Sequence, residues 1–258
     1  MNKDQIRQIA VVIFIAAMII MNILANALPL NGQNTGEISD QFQVYFVPAG
    51  YVFSIWFIIY VGLVAYAVYQ AQPAQRENPR LRAIGWPVVL SSLANIAWLF
   101  FWHYNLFVLT IIAMLLLLVL LVVIYLRLGI GKKVVSKGTK WAVHIPFSIY
   151  LGWITVATIA NASDLLYYLG WNGAPLAPEV WAVIMLAAAL IITTLMLLTR
   201  RDIAYALVIV WASIGIAVKQ VGVAVVPTAA WIVAGLVVLL IIATALRLLP
   251  KLPISSRA

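Results

Sequence analysis

Of 258 residues, 66% are hydrophobic and only 9% are charged, against roughly 25% charge in an ordinary soluble domain, so a soluble fold of this length would lack a polar shell. The net charge of +9 would suggest nucleic acid in a soluble protein; here the basic residues fall in one set of loops, and no nucleic-acid partner is predicted. With no cysteine and two histidines, disulfides and thiolate metal sites are excluded and imidazole chemistry has little to build on, so neither a metal nor a cofactor is predicted.

Residues 8–28 are almost continuously apolar behind a polar start, MNKDQIR. They read as a first spanning helix, or as a signal peptide ending at the small-x-small run Ala25-Asn26-Ala27. The helix is the preferred reading, because the apolar run is long and Asn22 and Asn26 form a polar face suited to packing against other helices. Residues 29–47 carry Glu37 and Asp40 but no lysine or arginine, and read equally as a lid over the bundle or as a surface connection. Pro48-Ala49-Gly50 then opens a second helix, 48–70, long enough to cross a bilayer. Its Phe53, Trp56 and Tyr60, three and four residues apart, are predicted to share one face.

Further helices are predicted at about 84–104, 106–126, 141–160, 180–199, 203–220 and 224–247. The expected fold is therefore all-α, a polytopic transmembrane bundle of eight helices, or seven if the short segment ending at Lys219 does not cross. Placing the loops alternately on the two sides puts fifteen of the sixteen lysines and arginines on one side, Lys219 being the exception. The positive-inside rule then sets both termini in the cytoplasm, and a bacterial plasma membrane is the simplest placement. Pro48 and Pro146 are read at helix entrances and Pro87 in a first turn, where a missing N–H is harmless. Asp164 and Glu179 fall in a predicted outer loop, which leaves no carboxylate at mid-membrane and argues against a proton relay. Trp56, Trp153 and Trp211 lie deeper than the interfacial tryptophans; they suit either helix packing or a cavity for a flat apolar ligand with a polar rim.

Three segments together carry a resemblance: Pro48-Ala-Gly-Tyr-Val-Phe53-Ser-Ile-Trp56-Phe-Ile-Ile-Tyr60, then Asn95-Ile-Ala-Trp98-Leu-Phe-Phe101-Trp102, then Pro146 to Trp153 continuing to Asn161. In this order they resemble the tryptophan-rich sensory proteins of the TspO or peripheral benzodiazepine receptor family. Tyr51 stands where that family has a tryptophan, and the Asn161 spacing departs from its pattern. The resemblance covers residues 8–165 and its five helices, leaving 166–258 as a three-helix extension of one membrane domain, an enlarged, diverged member. It implies a membrane protein embedded in lipid that binds a hydrophobic small molecule, a porphyrin or haem-like tetrapyrrole, with a sensory or regulatory role. The ligand-binding residues it implies are Phe53, Trp56, Tyr60, Asn95, Trp98, Phe101, Trp153 and Asn161. A homodimer is expected from the resemblance alone. The alternatives are a small-solute transporter or permease component, which the added helices allow, and a membrane enzyme acting on an apolar substrate, which the residues support least; no catalytic residue is assigned.

Overall fold

The computed structural model describes residues 2–250 and 252; Lys251 and Arg257, two of the basic residues counted above, lie outside them. The chain forms α1 (Lys3–Ala27), a short α2 (Thr35–Ser39), α3 (Ile55–Ala71), α4 (Pro79–His103), α5 (Phe107–Leu128), a single turn α6 (Lys137–Thr139), α7 (Ile145–Tyr168), α8 (Pro178–Arg200), α9 (Ile203–Lys219) and α10 (Val226–Ala245). Among the described residues there is no strand. Seven helical stretches are long and apolar enough to cross a membrane, and α9 is a shorter apolar helix of 17 residues. Large apolar side chains such as Phe57, Ile112, Leu195 and Leu239 stand exposed around the bundle, an outer surface suited to lipid rather than water.

Hydrogen bonds at the two ends show that α9 also traverses the bundle. At its start, Asp202 caps the helix by accepting from the Tyr205 amide at 3.1 Å and takes a hydrogen bond from Tyr125, near the end of α5, at 2.8 Å. At its finish, Lys219 pairs with Asp40 in the segment between α1 and α3 at 2.7 Å. Seventeen residues of helix span about 25 Å, so α9 runs the length of the bundle beside the seven longer candidate spans. The two ends of the described chain are each tied to the bundle. Asp4 pairs with Arg82 beside the start of α4, and the Leu252 amide donates to Leu198 in α8 at 3.1 Å.

Local sequence explains most boundaries. Asn2 and Gln5 form a reciprocal capping box at the start of α1, satisfying amides that have no partner within the helix. Asn78 caps the Arg80 amide at 3.1 Å, with Pro79 at the first helical position. Helix α4 thus begins five residues earlier than the sequence suggests, and Pro87 lies in its interior rather than in its first turn. A proline there leaves the carbonyl four residues back, that of Ala83, without its amide; the Arg127 guanidinium donates to it at 2.7 Å.

Pro146 is likewise inside a continuous helical stretch, Lys137–Tyr168. The preceding turn, Lys140–His144, widens to π geometry, with the Ile145 amide donating to Lys140. This one-turn widening is a common way for a helix to absorb an irregularity. At its other end α7 runs to Tyr168, eight residues beyond the expected boundary, and this overturns the placement of Asp164. That residue is not in an outer loop: it lies on α7, 3% exposed. His103 is the fully buried last residue of α4, its Nδ1 2.8 Å from the Leu99 carbonyl oxygen.

The core is sewn together by asparagine. Asn22 of α1 donates to Asn95 of α4 at 2.8 Å, and Asn95 donates to the Tyr150 hydroxyl of α7 at 3.2 Å. All three are nearly fully buried, and such interhelical bonds contribute about 0.6 to 2 kcal/mol each in a bilayer. Thr155, Thr158, Thr193 and Thr194 donate their hydroxyls to carbonyls one turn back on their own helices, and Thr193 is fully buried within the bundle. Helices α7 and α9 meet where Gly152 has no side chain, a Cβ there falling 3.1 Å from Val208.

Candidate functional site

Residues 28–54 cross the end of the bundle and decide the shape of what lies beneath. Helix α2 starts at Asn34, whose side chain caps Gly36 and Glu37 at 3.0 Å each, and Trp102 of α4 donates to the Thr35 carbonyl at 3.2 Å. A 3₁₀ turn, Gly50–Ser54, then leads into α3. It is seated on α9: Ala49 N–H donates to the Gly215 carbonyl at 3.1 Å, Trp211 donates to the Val52 carbonyl at 3.0 Å, and Gln220 donates to the Tyr45 carbonyl at 3.2 Å. Burial raises the Tyr45 hydroxyl pKa above its ordinary value, and the nearby Glu179 carboxylate raises it further.

Beneath this segment is a narrow cavity of about 60 Å³, inside a recess of about 630 Å³ counted out to its open mouth. The narrow part has room for a few waters and is smaller than a typical small-molecule site, the larger figure including open solvent at the mouth. Its walls come from α2, the 3₁₀ turn, α3, α4, α5 and α7. Of the eight sequence-proposed residues, Phe53, Trp56, Asn95, Trp98, Trp153 and Asn161 line it. Tyr60 and Phe101 do not. Tyr60 stacks behind Trp56 with ring centroids 5.5 Å apart and planes inclined at 26°, while Phe101 lies outside the lining and its neighbour Trp102 takes the wall position. One residue along a helix turns the side chain by about 100°, and that decides which of the two faces the cavity.

The aromatic wall is built by contact between helices rather than along one face. Trp153 of α7 receives Phe53 edge-on at 5.7 Å and Trp56 at 6.3 Å. Trp98 and Trp102 stack at 5.4 Å with an angle of 18°. Asn161 fixes Trp98 by accepting its indole N–H at 3.3 Å, and donates to Thr110 of α5 at 3.0 Å. The room comes from Ala157 and Ala160, which share the α7 wall with Trp153, Asn161 and Asp164. Trp211, expected to be deep, is partly exposed and spends its N–H on the 3₁₀ turn.

Three polar atoms on this wall are buried without a partner: Trp153 Nε1, Thr35 Oγ1 and Asp164 Oδ1. A buried polar group without a hydrogen bond is costly, and here donor and acceptors all belong to lining residues. Sequence reasoning missed Asp164, Thr35 and Trp102. The signal for Asp164 was the helical spacing of Ala157, Asn161 and Asp164, hidden by the fall in hydropathy.

Fold and cavity together define a polytopic α-helical membrane protein with an aromatic-walled recess inside its bundle. The chain belongs to the TSPO-like protein family, whose match extends over residues 8–243. That span takes in α8, α9 and most of α10 as well as the portion up to residue 165. No curated protein and no solved structure gives a significant match to it.

Proposed function

We propose that the protein binds a flat hydrophobic ligand, such as a porphyrin or other tetrapyrrole, in the recess between α3, α4 and α7, and that binding serves a sensory or regulatory role. The observation that carries this reading is the Trp153 indole: it is 2% exposed, in edge contact with Phe53 and Trp56, and its N–H, on the cavity wall, has no partner. Most buried donors in packed helices are satisfied, and this one lies on the wall of the recess, where a ligand acceptor would satisfy it. Membership of the TSPO-like family supports the same reading. The proposed site is Phe53, Trp56, Asn95, Trp98, Trp153 and Asn161, with Tyr60 and Phe101 acting from behind the wall.

We place both termini in the cytoplasm of a bacterium and treat residues 166–258 as additions to one membrane domain; a homodimer rests on family resemblance. Transport of the ligand is the second reading. It is favoured by Asp164, since an acid buried inside a membrane bundle is what ion-coupled transport uses. The test is titration of the detergent-purified protein with a porphyrin, followed by tryptophan quenching, with Trp56→Leu alongside the wild type. Saturable quenching weakened by the substitution, at unchanged folded yield, is the expected result; equal loss of yield and binding would assign Trp56 to packing. Ligand-dependent flux in vesicles would bring transport forward.

A further inference from the structure

Asp164 is buried, lines the recess and makes no hydrogen bond or ion pair among the described residues. Lys219, whose charge reaches it, is already paired with Asp40. A carboxyl group in such surroundings ionises only when a donor or a cation is brought to it. The second unpartnered acceptor on the wall, Thr35 Oγ1, belongs to the α2 segment that covers the recess. The stacked indoles of Trp98 and Trp102 line the same recess, and indole faces attract cations. A carboxylate, a hydroxyl acceptor and two indoles are the chemical complement of an ammonium group. Where it is ionised, the same group repels an anionic ligand edge.

Along α7, the idle donor Trp153 and the idle acceptor Asp164 are three helical turns apart on the same wall, roughly 16 Å along the axis. The two polar demands are therefore well separated along the α7 wall of the recess.

We propose that the recess selects a flat aromatic ligand carrying a protonated amine, the ammonium held between the Asp164 carboxylate and the Thr35 hydroxyl and the ring system extending toward Trp153. This rests on reading the recess as a ligand site and narrows the class it takes: the acidic edge of a carboxylate-bearing ring is turned away from Asp164.

The test uses three probes sharing one ring system, pyrenemethylamine, pyrenemethanol and pyrenecarboxylate, titrated at neutral pH into the full-length protein in one detergent and followed by energy transfer from tryptophan. The wild type is expected to bind the amine about tenfold tighter than the alcohol, with the carboxylate weakest. Asp164→Asn is expected to bring the amine to the alcohol's affinity and leave the alcohol unchanged. Thr35→Val, which leaves α7 untouched, is expected to cut the preference about threefold, and it decides the matter if Asp164→Asn does not fold. Equal binding of amine and alcohol by the wild type, or a preference that survives both substitutions, would overturn the proposal. If Trp56→Leu still weakens every probe in that case, the recess remains a ligand site of other specificity. Absence of binding by all three probes would overturn the proposal, and the porphyrin titration then decides whether the recess is a ligand site.

Discussion

Arg127, in the last turn of α5, donates from Nη1 to the carbonyl of Ala83 in α4 at 2.7 Å, the carbonyl that Pro87 leaves without an amide. A charged donor from one helix thus repairs a gap in the next. Arg127→Ala is expected to cost about 1 to 2 kcal/mol of stability. In a Pro87→Ala background, where the helix backbone regains an N–H for the Ala83 carbonyl, the same change is expected to cost much less. Thermal denaturation of the four proteins in detergent measures the difference; identical costs in the two backgrounds would show that the guanidinium acts elsewhere.

Gly215 faces the 3₁₀ turn so closely that a Cβ would collide with Val52 Cγ2 and stand 3.0 Å from Pro48 Cβ. Gly215→Ala is expected to destabilise the protein by about 1 to 3 kcal/mol through overpacking. Val52→Ala removes the colliding methyl, so the double variant should recover part of that loss. The check is the melting temperature of each single variant against the double; no recovery would locate the strain in α9 itself.

Asn95 holds two helices at once, accepting from Asn22 and donating to Tyr150. Asn95→Leu should therefore be more damaging than Asn22→Leu, by about 1 kcal/mol. Unfolding in a denaturing detergent ranks the two; an equal effect would mean the Tyr150 contact contributes nothing.

Ala157 sits on the cavity wall between Trp153 and Asn161. Ala157→Leu puts a side chain into the empty space, and stability is expected to change by less than about 1 kcal/mol because the void accepts it. Porphyrin binding should fall about tenfold if the recess is the site. Unchanged affinity measured by tryptophan quenching would move the site elsewhere.

The helix count was legible because each span carries a long apolar run bounded by polar loops, and α9, though short, shows the same pattern. The ends were less legible. Asn78-Pro79 is an N-cap followed by proline, but the arginines around it made the first turn of α4 resemble a linker. Asn161, Ser163 and Asp164 lowered the hydropathy of α7 in the same way, which placed the expected helix end before its buried carboxylate. Six wall residues could be read from motif positions, whereas the choice of Trp102 over Phe101 depends on the rotation of α4, fixed by long-range contacts such as the Trp102 bond to the Thr35 carbonyl. Asp164 needed both the true helix end and the position of the cover.

The hydrogen bond from Trp211 to the Val52 carbonyl joins residues 159 positions apart in the chain. During synthesis at about 5 to 20 residues per second, the Val52 turn therefore waits roughly ten to thirty seconds for the helix that supports it. Helices α1 to α5 are in the membrane by then, and the floor and sides of the recess can assemble early. The part of its roof seated on α9 cannot be fixed until that helix has been inserted. A nascent chain stalled before α9 should leave the 3₁₀ part of the roof unseated while α2 is already held by Trp102, so completion of the site is a late event in biogenesis.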